Sequence, residues 1–262
     1  MKDSLFYTIV FLCIQILASL LVGQSLKLLT DDPQIITSPY IQLGIMVLFS
    51  VITIIVFVRL KWATPTRQYL KSKPWLTIVW AVIAAFGAVI PSIAFQEQMP
   101  ELPNIVAEEL SAVMNAHGGY FVTCLLVPLT EELVFRGAIL RALLKWRPAS
   151  HWWMIAFSAL LFSAAHMNPA QMPHAFIVGL LLGWMYYRTQ SIVPAVAFHW
   201  SNNTIAYILF KLYPNPDVKL VEILGSQQHV LLAVMCSLMI LLPAIYQLNM
   251  WMRKAGENDT TV

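Results

Sequence analysis

Residues 120–144 read YFVTCLLVPLTEELVFRGAILRALL. The run is long enough for a membrane-crossing helix, which needs about 20 mostly apolar residues. Yet Glu131, Glu132 and Arg136 sit in its middle. Ionisable groups at that depth are expensive and by default mark function. At 3.6 residues per turn, Glu132 and Arg136 stand one above the other and can pair. Glu131 is turned about 100° away and lacks that cation. A structural ion pair accounts for Glu132 and Arg136, but not for the second carboxylate.

The rest of the chain has the same solvent in mind. Of its 262 residues 59% are hydrophobic and 11% charged, and the mean hydropathy is +0.70. A soluble domain carries roughly 25% charged residues, so an ordinary soluble enzyme, a disordered chain and a nucleic-acid binder are all excluded. Further apolar runs cover residues 5–29, 40–60, 75–95, 152–166, 174–187, 192–212 and 230–252. With 120–144 they make eight candidate spans, and the short link between 166 and 174 makes the fifth and sixth a hairpin. Lys2 and the run after it read as a first anchor rather than a cleaved leader. Cys13, Cys124 and Cys236 have no metal-type spacing and are expected to be small buried hydrophobes.

Positive charge orients such a chain. Lys2, Arg59, Lys61, Arg67, Lys71, Lys73, Arg141, Lys145, Arg147, Arg188, Arg253 and Lys254 fall on one side of an eight-span alternation, Lys27, Lys211 and Lys219 on the other. The second side holds Asp31, Asp32, Glu97, Glu101, Glu108, Glu109, Asp217 and Glu222. The expectation is a multi-pass protein of the cell membrane with both ends cytoplasmic. In the outer segment 96–119, Ile105, Val106, Leu110, Val113 and Met114 recur at helical spacing opposite Glu108 and Glu109. That pattern predicts either an interfacial amphipathic helix or a solvated connector.

Two other spans carry polar residues that are costly in lipid. Phe162 and His166 share a face near the end of the fifth, and His199 and Asn203 share a face in the seventh. Counted from the span ends, Glu131, His166, His199 and Asn203 fall at one depth, expected to run from mid-membrane toward the cytoplasmic side. His117, His151, His174 and His229 lie near span ends and receive no role.

Glu-Glu-x-x-x-Arg, then Phe-x-x-x-His, then His-x-x-x-Asn, in that order on hydrophobic helices, resembles the CPBP family. That family comprises CAAX prenyl endopeptidases and related bacteriocin-processing or immunity proteins. The resemblance covers roughly residues 115–210 and includes Phe135-Arg136-Gly137 and the approach from Arg188 to Ala195. It departs at Gln190, where a glycine is common. It implies an all-α polytopic membrane protein of about eight transmembrane helices with a buried active-site cavity. Residues 1–114 would be N-terminal helices, 115–254 the catalytic helical core and 255–262 a disordered tail.

The implied activity is intramembrane peptide-bond hydrolysis. Glu131 and His166 would activate water, and His199 and Asn203 would stabilise the oxyanion. Glu132, Arg136 and Phe162 would support them. The donors also suit zinc, held by Glu131, His166 and His199, although there is no His-Glu-x-x-His and metal-free hydrolysis is favoured. The expected partners are bilayer lipid and a protein or peptide substrate, lipid-modified or not, with no nucleic acid. The alternatives are a non-catalytic membrane scaffold or immunity protein on the same fold, and a transporter.

Overall fold

A computed structural model describes residues 1–30, 32, 35, 38–63, 67–215 and 218–252. The tail 255–262, with Arg253, Lys254, Asp31 and Asp217, lies outside the described residues. Helices account for nearly all of the rest, and the described residues contain no strand.

The helices follow the apolar runs. In chain order they are α1 (Lys2–Leu29), α2 (Pro39–Arg59), the short α3 (Arg67–Lys71), α4 (Trp75–Glu97) and α5 (Ala107–Asn115). Next comes α6, one continuous helix over 121–146. Then follow α7 (His151–Ala165), α8 (Met172–Thr189), α9 (Val193–Leu212), the short α10 (Leu220–Leu224) and α11 (Gln227–Trp251). Of these, α1, α2, α4 and α11 are long and apolar enough to cross a membrane by length and composition. The inner helices are shorter or more polar. Helix α7, with 15 residues, is about 22 Å long, short of the ~30 Å hydrocarbon layer. It is not enclosed by the long helices: it packs on α6 and α8 and leaves Trp152, Trp153 and Leu160 exposed.

Two apolar clusters bracket these inner helices. Phe11 and Phe49 of α1 and α2 meet Phe135 of α6 on one flank, with the Phe11 and Phe135 rings 5.4 Å apart. On the other flank, Ala81, Ala84 and Ala85 of α4 and Ala244 and Leu248 of α11 enclose Leu182 of α8 and Phe198 of α9. Small residues set the closest approaches, as expected where helices associate without a hydrophobic drive. A Cβ on Gly87 would stand 2.6 Å from the Leu241 backbone nitrogen, and one on Gly183 2.8 Å from Ile155 Cγ2.

The helix ends sort into two faces. Thr77 donates to the Trp251 carbonyl and Arg188 to the Asn249 side chain, so these ends meet at one face. Met1 lies beside Leu143 and Trp146 at the same kind of end. At the opposite face Lys211 donates to Asn115 at 2.6 Å.

Three details differ from the sequence reading. Helix α6 widens into π-type turns over Phe121–Leu126 and Leu133–Leu140, on either side of the stretch containing Pro128, Glu131 and Glu132. π turns concentrate at functional sites, and a uniform 3.6-residue period does not anticipate them. Cys13 and Cys236 are exposed on the outside of α1 and α11, and only Cys124 is buried. Their outward helix faces, rather than their residue type, decide that. Gln190, in the glycine-favoured turn, has φ 52°, which explains the preference. Its side chain compensates by donating to the Tyr187 carbonyl.

Candidate active site

Three of the inner helices converge on a cavity of about 310 Å³. Glu131 from α6, Phe162 and His166 from α7 and its end, and His199 and Asn203 from α9 all line it. The four residues expected to do chemistry therefore share one space.

Beneath the cavity lies the supporting network. Arg136 donates from Nη1 to Glu132 Oε1 at 2.9 Å, and both side chains are fully buried. Arg136 Nη2 reaches the Gly179 carbonyl at 3.2 Å. Gly179 permits this, because a Cβ there would come within 3.0 Å of Ala159 Cβ. The guanidinium also lies 4.3 Å from the centre of the Phe162 ring, a cation–π geometry strengthened by desolvation. The edges of His166 and His199 meet the same ring at 4.9 and 5.8 Å. Phe162 is thus the shared wall of the ion pair and both histidines. That gives the aromatic of the Phe-x-x-x-His motif a physical task. Glu132 Oε2 and Arg136 Nε have no hydrogen-bond partner among the described residues.

The ring atoms define the histidine roles. His199 Nδ1 lies 2.9 Å from Glu132 Oε1, the oxygen that already accepts from Arg136. A carboxylate only accepts, so Nδ1 carries the proton. His199 Nε2 then faces Glu131 Oε2 at 3.7 Å, too long for a direct hydrogen bond. His166 Nδ1 lies 2.9 Å from the Phe162 carbonyl, so it too is the protonated nitrogen. Asn203 donates from Nδ2 to the Thr123 carbonyl at 3.2 Å, and Cys124 donates to the Asn203 carbonyl. One amide hydrogen of Asn203 remains for a ligand.

Glu131 pairs spatially with His199 rather than with His166. Both α6 carboxylates converge on one imidazole. Glu131 is 15% exposed and Glu132 fully buried.

A zinc ion would need its donors about 2 Å from one point. Among the described residues no group of three or more His, Cys, Asp or Glu side chains is arranged in that way. Glu131, His166 and His199, the ligands considered above, do not fit a metal as they stand.

His174 and Asn202 also line the cavity. Neither belongs to a spaced motif. His174 enters because the α7–α8 hairpin folds the start of α8 back over the end of α7. Asn202 enters because the cavity is wide enough to expose two adjacent positions of α9.

The depth expectation is corrected. The cavity wall continues upward through Gln171, Ala206 and the α5 residues Leu110 and Met114. These belong to the face opposite the basic loops. The site therefore runs from the middle of the bundle toward that face and away from the basic loops. His166 caps the end of α7 at that face, and counting up from the other end of a short helix places it too low. The segment 96–119 is accordingly neither a free connector nor merely an interfacial helix. Its helix α5 covers the cavity, with Val113 buried beside Leu43 and Val122.

Comparison with known proteins agrees with the motifs. The family model of type II CAAX prenyl endopeptidase Rce1-like proteins matches residues 114–205. The membrane-embedded CAAX protease MroQ of Staphylococcus aureus (strain USA300) is 23% identical over 241 residues, 87% of this chain and 96% of that protein. No solved structure matches. The matched stretch begins at the end of α5 and closes in α9, so it contains every motif residue of the cavity, and both similarities support the resemblance to the CPBP family of CAAX-type membrane proteases.

Proposed function

We propose that the protein is an intramembrane endopeptidase that hydrolyses a peptide bond with a water activated by Glu131, without a covalent enzyme intermediate. The observation that carries this reading is the single cavity holding Glu131, His166, His199 and Asn203. Water attack needs a base near the nucleophile and donors near the developing oxyanion.

In this mechanism Glu131 takes a proton from water as the oxygen attacks the carbonyl carbon. His166 orients that water through Nε2, the nitrogen left with a lone pair once Nδ1 is held by the Phe162 carbonyl. Asn203 offers its remaining amide hydrogen to the oxyanion. His199 offers Nε2–H in its doubly protonated form, an imidazolium between the Glu131 and Glu132 carboxylates. When the C–N bond breaks, Glu131 returns the proton to the leaving amine. Substrates of this class are peptides at the membrane, some of them lipid-modified.

The test is cleavage in cells and in detergent by Glu131→Ala and His166→Ala variants. Both should accumulate in the membrane and neither should cleave. Full proteolysis by both would refute the reading. Proteomic comparison of wild type with Glu131→Ala should reveal the substrate as a membrane-associated fragment that disappears.

A further inference from the structure

We propose that the cavity takes its peptide from the outer face of the membrane, so that the substrate is a segment exposed outside the cytoplasm and not the tail of a cytoplasmic protein. This rests on the peptidase reading of the same site and specifies the side from which that site is supplied.

Two independent observations combine. The first is charge. Arg59, Lys61, Lys71, Lys73, Arg141, Lys145, Arg147 and Arg188 belong to the helix ends and connections of one face. The other face holds Glu97, Glu101, Glu108, Glu109 and Glu222, with Lys27, Lys211 and Lys219. Short loops rich in Lys and Arg stay in the cytoplasm, so the face bearing α5 is the outer one.

The second is what bounds the cavity at its two ends. Toward the cytoplasmic face it has a floor. Glu132, Arg136, Phe135 and Phe162 are buried there, and below them a Cβ on Gly137 would sit 3.2 Å from Ala63 and 3.6 Å from Ile192. Toward the outer face the wall is made of Leu110, Met114 and Gln171, from α5 and the α7–α8 connection.

That rim is built in place. Asn168, fully buried, donates to the Asn104 side chain at 2.9 Å and accepts from the Ile105 backbone at 3.1 Å. Ala170 donates to the Pro103 carbonyl. The covering segment is therefore tied to the hairpin that carries His166. Its polar side, Glu108 and Glu109, is exposed, while Leu110 and Met114 face inward. A peptide arriving from the outer aqueous boundary meets an acidic surface first and an apolar lip next.

The experiment is cysteine labelling in intact cells with a membrane-impermeant maleimide, in a background with Cys13, Cys124 and Cys236 replaced by alanine. Ile105→Cys and Gln171→Cys should label in intact cells, and Arg147→Cys only after lysis. Labelling of Ile105→Cys only after lysis would overturn the orientation. Labelling of Ile105→Cys from outside, with Gln171→Cys reached only from inside or from neither side, would overturn the outer mouth. An epitope inserted after Leu102, probed with antibody in intact cells, answers the orientation question with the natural cysteines in place, should the cysteine-free protein fail to accumulate. None of these readouts depends on proteolysis. A failed peptidase assay with outer labelling would therefore refute the activity while leaving the access route standing.

Discussion

At the residue scale, the two adjacent glutamates have opposite fates. Glu132 is locked by Arg136 and His199, whereas Glu131 faces the cavity with its Oε2 3.7 Å from His199 Nε2. Glu131→Gln preserves shape and removes the base. It should lower cleavage by ~10²–10⁴, the usual worth of a positioned general base, with thermal stability in detergent unchanged. Arg136→Ala should do the reverse damage. It strands a buried carboxylate, at a cost of about 3–5 kcal/mol, and removes the cation above Phe162. The expected outcome is poor accumulation and a lowered Tm, read by fluorescence-monitored unfolding.

At the element scale, the α7–α8 hairpin decides whether the site assembles. Gly179 and Gly183 put α8 against Ala159 and Ile155, which brings the Gly179 carbonyl to Arg136 and Phe162 under both histidines. Gly183→Leu should overpack this contact and destabilise by about 1–3 kcal/mol, measured as a lower Tm. Cleavage should fall with it, because His166 rides on the displaced helix. Gln190→Gly belongs to the same hairpin's far end. It relieves a left-handed residue and should raise stability by up to about 1 kcal/mol, less the hydrogen bond Gln190 makes to Tyr187. A Tm that falls instead would show that this hydrogen bond outweighs the backbone strain.

At the scale of the whole molecule, the long apolar helices α1 and α2 pack on one flank of the site helices and α4 and α11 on the other, and the cavity lies among the site helices. The donors in it do not converge as metal ligands do. Cleavage by the purified protein should therefore persist in excess chelator, and elemental analysis should find zinc well below one per chain. Stoichiometric zinc together with loss of activity in chelator would instead require the site to rearrange on binding.

Much of this was readable from residues alone. The eight apolar runs each became a helix, because in lipid every backbone group must be bonded within its own segment. The charges in residues 120–144 and the i, i+4 pairs marked the polar side chains that line the cavity, because such groups are retained in lipid only with a partner or a task. What spacing along one helix does not encode is contact between helices. Tertiary packing alone decided that Glu132 holds His199, that Phe162 is the wall common to Arg136 and both histidines, and that His174 and Asn202 join the cavity. It also decided that Cys13 and Cys236 face outward and that the site leans toward the covering helix α5. Each of these depends on the rotation and closeness of neighbouring helices. Those are set by small residues such as Gly179 and Gly183 and by the wide turns of α6, features whose effect exists only once the helices have met.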